Sequence, residues 1–208
     1  MNTFNEGSRQ ARKAETAAAV LEAARDEFER VGFEAANLRT IAARAGVSAG
    51  TVLHHFGDKR ELLHAALFDE LDRTLTQALA SPGEGPLEAQ LERLAQAVLR
   101  SYQARPKLSR TLLAESLFAD PPWAQRFAAQ TGAVHVALAE LVKQAIARRE
   151  LQPTLDAVLF GVAWLSFFYF ALISWAQGAH PRPLALVAKL TAQHLVGHRV
   201  VRHGGKAR

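Results

Sequence analysis

The sequence predicts an all-α protein of about nine helices, on three observations. Apolar residues recur at three- and four-residue steps along nearly the whole chain. No stretch alternates with the two-residue period of a strand. Proline- and glycine-containing breakers divide the periodic segments into helix-sized lengths.

The first periodic face is Ala17, Leu21, Ala24, Phe28 and Val31, so helix is expected from Glu15 until Gly32 stops it. Before it, residues 1–13 carry Arg9, Arg12 and Lys13 and read as a mobile basic arm or a plain solvated tail. A short helix follows Asn37 as N-cap, with Leu38, Ile41, Ala42 and Ala45 on one stripe and Gly46 at its stop. Val47 plugs the turn and Ser48 caps the next helix, whose Val52 and Phe56 lie one turn apart and give it a buried side. Asp58 and Glu61 have capping-box spacing at the start of a long helix through Leu63, Leu67 and Leu71. Ser81–Pro86 cannot continue a helix, because proline lacks the N–H and glycine is conformationally loose. Further helices are expected over 87–104, 107–118, 122–149, 154–177 and 183–198.

Composition narrows the chemistry. With no cysteine, disulfides, thiolate nucleophiles and cysteine-ligated metals are excluded. His54, His55 and His64, and the pair His194 and His198, lack a carboxylate placed to complete a site, so no metal is expected. The one Gly-x-Ser-x-Gly run, Gly46-Val47-Ser48-Ala49-Gly50, joins two predicted helices and lacks the preceding strand of a nucleophile elbow, and no phosphate-cradling glycine loop is present, so neither a catalytic residue nor a cofactor is expected. The first thirty residues contain no continuous apolar core of a secretory signal, and the expectation is a cytoplasmic protein. The formal charge of +5 would support only weak attraction to a polyanion, so a nucleic-acid reading must rest on a motif.

That motif is Leu38–Lys59, LRTIAARAGVSAGTVLHHFGDK: two short helices joined by Ala45-Gly46-Val47-Ser48, the pattern of a helix-turn-helix. In such a motif the second helix enters the DNA major groove, which is about 12 Å wide and admits one helix. With Val52 and Phe56 turned inward, its other face offers Ala49, Gly50, Leu53 and His54 to base edges.

The longer run Phe33–Leu63, with its IAxxAGVSxGTxxHHF core, resembles the DNA-binding domain of the TetR (tetracycline repressor) family. The resemblance implies a ligand-responsive repressor that binds a palindromic DNA operator as a homodimer. It also implies that Arg39 reaches a guanine or a phosphate and that Thr51, His55 and Lys59 hold the DNA backbone. Asn37 and Ser48 can serve as plain caps or meet phosphate. Two positions depart from the family pattern: Leu53 stands where tyrosine is common, and Ala49 where lysine or a polar residue is frequent. The groove-facing surface is therefore unusually apolar, which points to thymine-methyl contacts and DNA shape as sources of selectivity.

The chain is divided accordingly into a DNA-binding domain over 1–57, a ligand-binding and dimerisation domain over 58–198, and a basic, disordered tail over 199–208. Seven of the sixteen aromatic residues fall between Asp156 and Gln177. Residues 157–176 are long and apolar enough to span a membrane. Ser166, Tyr169 and Ser174 dilute the segment and favour a helix buried by its neighbours and a second subunit, with no membrane partner. In a TetR-like protein the middle helices enclose the pocket of an apolar or aromatic effector, which makes Tyr102, Leu112, Phe118, Trp123, Phe127, His135, Trp164 and Phe168 its candidate lining. Glu115 is the candidate selector of a cationic or hydroxylated ligand, unless it simply points to solvent. The same resemblance assigns the last two long helices to the dimer interface, through Gly161, Tyr169, Leu184, Val187, Leu190 and Leu195.

Overall fold

The computed structural model describes residues 3–116 and 120–200, with side chains described from residue 7 onward and excepting residue 116. Nine α-helices are present among these residues: α1 (Thr3–Val31), α2 (Leu38–Arg44), α3 (Ala49–Phe56), α4 (Lys59–Ala80), α5 (Leu87–Ala104), α6 (Pro106–Ser116), α7 (Trp123–Ala147), α8 (Ala157–Ala176) and α9 (Pro183–Leu195). A short 3-10 turn, Val196–His198, follows.

Two expectations at the ends are corrected. The basic arm is helical: α1 runs back to Thr3, because no proline interrupts residues 3–14 and the alanine, arginine, lysine and glutamine residues there offset the cost of Gly7. At the other end, Arg199 and Val200 belong to the fold, since Arg199 bridges Leu151, its guanidinium pairs with Glu88 at 2.7 Å, and the Val200 N–H donates to the Glu150 carbonyl. The rest of the expected tail lies outside the described residues.

The chain forms two compact units. One comprises residues 1–72 and 102–123, the other residues 73–101 and 124–208. The boundary expected at 57/58 therefore falls inside the first unit. Leu62, Leu63, Ala66 and Leu67 of α4 are buried, and Arg25 of α1 donates to the Ala66 carbonyl, so the first turns of α4 belong to the first unit. The buried stripe of α1 is Val20, Ala24 and Phe28, with Ala17, Leu21 and Val31 only half-buried, a turn of the face from the one expected.

Charged side chains brace this first unit. Arg25, 2% exposed, reaches Glu22, Asp69 and Glu70, and Arg105 joins Glu22, Asp26 and Glu70. Glu27 is equally buried and takes a bidentate pair from Arg30, with Arg44 of α2 at 3.8 Å. Arginine suits such places because its planar fork satisfies several carboxylate oxygens together.

In the second unit, Asp156 caps α8 through the amides of Val158 and Leu159. One side of α8 is buried, through Phe160, Gly161, Trp164, Leu165, Phe168, Ala171, Leu172 and Ser174. The opposite side is bare: Val158 is 66% exposed, Leu159 65%, Val162 46% and Phe170 56%. Neighbouring helices of the chain thus cover one side of α8 and leave the other uncovered. By length and composition α8 would cross a membrane, at a mean hydropathy of 2.0, but it carries a core-packed face.

Candidate functional site

The turn between α2 and α3 is built as its residues predict. The Asn37 side chain accepts the Arg39 amide at 2.8 Å and starts α2. Gly46 adopts φ +68°, a conformation costly for any residue with a Cβ, and this lets the Val47 N–H return to the Ala42 carbonyl at 3.0 Å. Ser48 then caps α3, its hydroxyl oxygen accepting the Thr51 amide at 3.0 Å and lying 2.9 Å from the Thr51 hydroxyl. Helices this short are marginal in isolation, so the caps and the buried Ile41, Ala42 and Val52 hold them in place.

With Val52 only 1% exposed, α3 has one edge in the core, and Phe56 shares it only partly, being half-buried. The other edge faces outward. Gly50, Leu53 and His54 are exposed, while Ala49, Thr51 and His55 are half-buried beside them. Arg39 is exposed at the start of α2. Leu53, at 44%, is a large apolar side chain left in water by the folded chain.

Lys59 is placed differently from a freely reaching cation. Its ammonium donates to the carbonyls of Glu34 at 3.0 Å and Ala36 at 3.4 Å and sits 4.7 Å above the Phe33 ring. It ties the start of α4 to the loop that leads into Asn37 and α2. Sequence reasoning missed this role, because the two carbonyls lie more than twenty residues upstream. Asp58 does cap α4, accepting the Glu61 amide at 2.8 Å.

The residues expected to line a pocket divide between the units. Tyr102, Leu112, Glu115 and Trp123 belong to the first, Phe127, His135, Trp164 and Phe168 to the second, and Phe118 lies outside the described residues. In the first unit Tyr102 and Leu112 are buried. Trp123 is buried as well, flanked by the rings of His64 and Phe68, each at 5.2 Å, and its indole N–H donates to Glu61. Burial holds the His64 imidazole below the usual histidine range, although the carboxylates of Glu115, Glu61 and Asp58 pull the other way; Arg60 adds to the lowering. Glu115 is drawn off by Arg60, which donates to one of its oxygens through Nε and Nη2. That ion pair engages one oxygen of the carboxylate, and the apolar neighbours in its own helix could not reveal it.

In the second unit Trp164 stacks on Phe168 at 5.7 Å, and both are buried. Phe127 and His135 are half-buried, and Tyr169 packs edge-on to Phe127 and Phe168. Burial raises the Tyr169 phenol above its ordinary range, opposed by a hydrogen bond with Thr131. Two buried nitrogens of this unit, Trp164 Nε1 and His135 Nε2, have no hydrogen-bond partner among the described residues.

Of the six residues expected at a dimer interface, Gly161, Val187 and Leu195 are buried within the chain. A Cβ on Gly161 would meet Leu138 and His135 of α7 at 3.6–3.7 Å, so this glycine lets α7 and α8 approach each other. Val187 and Leu195 are 2% and 1% exposed, whereas Leu184, Leu190 and Tyr169 are half-buried. The bare apolar residues Val158, Leu159, Val162 and Phe170 were not among those expected. Uniform hydrophobicity along α8 conceals which side faces the core.

Two capped short helices, a glycine turn, an outward α3 edge and an exposed arginine at the start of α2 define a helix-turn-helix DNA-binding protein, carried on an all-helical fold. Residues 20–66 match the family described as bacterial regulatory proteins, tetR family. The repressor KstR of Rhodococcus jostii is 29% identical over 171 residues, covering 80% of this chain and 76% of that protein. The repressor Rv3405c of Mycobacterium tuberculosis is 42% identical over 95 residues, covering 43% of this chain and 50% of the relative. A TetR transcription regulator of Haloarcula marismortui superposes with a TM-score of 0.76 at 19% identity, over 90% of this chain and all of that one, and so shares the fold. Residues 20–66 thus match the DNA-binding domain of the TetR family, and the chain as a whole is similar to transcriptional regulators of that family.

Proposed function

We propose that this regulator is a cytoplasmic repressor, not an enzyme, which binds a near-palindromic operator as a homodimer and is released by a small apolar or aromatic effector. The observation that carries the reading is the outward edge of α3: Gly50, Leu53 and His54 exposed and the opposite edge held by Val52, with Arg39 exposed at the start of α2. Arg39 and His54 supply the polar contacts to bases, and Leu53 and Ala49 the apolar contacts to thymine methyls. Thr51 and His55, with the caps Asn37 and Ser48, face the phosphates, while Lys59 positions the loop before α2. The two similar proteins KstR and Rv3405c both carry the word repressor in their names, which favours that sign of regulation.

Dimerisation has its own support. A contiguous apolar surface such as the bare side of α8 is uncommon on a monomeric protein and marks an interaction site, so we assign it to a second copy of this chain. A dimer would set two recognition helices about one DNA turn, roughly 34–36 Å, apart. An effector that prefers another spacing lowers DNA affinity through a coupling of about 1–3 kcal/mol.

Selection of binding sites from a random duplex pool tests the reading. The expected product is an inverted repeat whose selection weakens for Arg39→Ala. Equal affinity for every sequence, or Arg39→Ala with undiminished selectivity, would refute it.

A further inference from the structure

Where the start of α5, the end of α7 and the end of α9 meet, the second unit has a cleft of about 400 Å³, within the ~300–1,000 Å³ usual for small-molecule sites. None of its lining was assigned above to DNA, to the effector pocket or to the bare side of α8. Buried Leu87, Leu151 and Leu195 form its floor, and the exposed Pro86 and Val200 extend the apolar surface to the rim.

The lining also holds four charged residues, Glu88, Arg149, Glu150 and Arg199. Three of them are engaged within the protein. Arg199 pairs with Glu88 at 2.7 Å. Glu150 accepts Arg148 on one oxygen at 2.7 Å and the Leu87 amide on the other at 3.0 Å, so the first amide of α5 is already satisfied. Arg148 lies outside the lining and cancels the charge of Glu150. Arg149 is the remainder: its guanidinium makes no hydrogen bond or ion pair among the described residues. The cleft therefore carries one uncompensated positive charge.

The backbone singles out the same residue. Arg149 has φ +58°, the only positive φ outside glycine among the described residues. It stands in the turn that closes α7, where its N–H donates to the Ile146 carbonyl at 2.9 Å and the Glu150 N–H to the Ala145 carbonyl at 3.0 Å. Glycine usually fills this place, because without a Cβ it adopts the left-handed conformation at no steric cost. Strained residues other than glycine gather at binding sites. Here an arginine is kept in a strained position although nothing in the fold uses its side chain. Arg149 is exposed as well, so its guanidinium is free to turn onto whatever fills the cleft.

We propose that this cleft binds a small organic monoanion, a carboxylate with a short apolar body. Its head takes a bidentate pair of hydrogen bonds from Arg149, and its body lies over Pro86, Val200 and the leucine floor. A dianion is disfavoured, because its second charge would lose hydration beside Glu88 and Glu150 with no further free cation to meet it. The proposal stands apart from operator recognition and from the effector pocket, and its test contains no DNA.

Octanoate, titrated into the nitrogen-labelled full-length protein, should move the backbone amides of Leu151 and Val200 saturably at millimolar concentration. Octanol, with the same chain and no charge, should bind at least about tenfold more weakly, the worth of a hydrogen bond to an ion. Suberate, the dianion of the same length, should bind no more tightly than octanoate. Arg149→Gly removes the guanidinium and the strain together. Its octanoate response should fall to the octanol level, while Tm by calorimetry should stay level or rise by up to about 4 °C.

Unmoved Leu151 and Val200 amides overturn the proposal, and so does octanol binding as tightly as octanoate. Tighter binding of suberate overturns the monoanion class. An octanoate response that survives Arg149→Gly would put the anion on another group. A lower Tm in Arg149→Gly would show that the guanidinium is held by the fold and not left for a ligand, and it overturns the proposal equally. The comparison of the three ligands on the parent protein requires no variant.

Discussion

Replacing Arg25 with leucine isolates what the buried guanidinium contributes to the DNA-binding unit. Its side chain is 3% exposed and holds the Ala66 carbonyl at 2.9 Å, Glu22 at 2.7 Å and Asp69 at 2.6 Å. Removing one partner from a fully buried ion pair costs about 3–5 kcal/mol. Here the carboxylates of Glu22, Asp69 and Glu70 keep 55%, 42% and 27% of their side-chain exposure, so they recover part of their hydration. Arg105 also still reaches Glu22 and Glu70. Leucine restores some packing. The net expectation is a loss of about 2–3 kcal/mol, which for a chain of this size lowers Tm by roughly 4–12 °C. Calorimetry at a fixed protein concentration measures it, because a dimer's Tm depends on concentration. The control is Arg60→Leu, whose pairing with Glu115 is 59% exposed on the arginine side and should be worth under about 1 kcal/mol. Burial tends to raise the Glu22 carboxyl, but Arg25 and Arg105 outweigh it and hold it below the ordinary value of 4.5. Glu22 therefore stabilises the fold above that pH, and its contribution is lost as the pH falls through the lowered value. Arg25→Leu should reduce this acid sensitivity. A Tm change equal to that of Arg60→Leu would refute the reasoning.

Three further outcomes follow from the same contacts. Lys59→Met keeps an apolar stem over Phe33 but loses the two carbonyl bonds; it should destabilise by about 1–2 kcal/mol and leave the slope of log affinity against log salt unchanged, whereas a slope smaller by about one would show a phosphate contact instead. His64 folds with its imidazole pushed down by burial, so the unfolded chain takes up the proton first and stability should decline as pH falls below 6.5, by at most about 1.4 kcal/mol per pH unit; His64→Phe should abolish that decline in denaturation midpoints taken between pH 7.5 and 5.5. Phe170→Glu places a charge on the bare side of α8, and sedimentation should find a folded monomer at micromolar concentration; an intact dimer would move the interface elsewhere.

Local chemistry was legible in the sequence wherever the interacting groups lie within one turn of one another. The caps Asn37, Ser48 and Asp58, the turn at Gly46 and the inward Val52 all depend on neighbours two to five residues away, so spacing alone announces them. The outward set on α3 followed from the same period, because a short helix with one buried edge has only one edge left to present.

Tertiary structure decided everything that depends on distant partners. Whether Lys59 reaches outward or back to the Glu34 and Ala36 carbonyls, and whether Glu115 stays open or is held by Arg60, depends on segments twenty to more than fifty residues apart in the chain. The same limit applies to α8, where nearly every residue is apolar and periodicity carries no contrast. Only packing against α7 and α9 shows that Gly161, Val187 and Leu195 are used within the chain while Val158, Leu159, Val162 and Phe170 are left uncovered. A helical period records which residues share a face; which face is buried depends on what the rest of the chain brings against it.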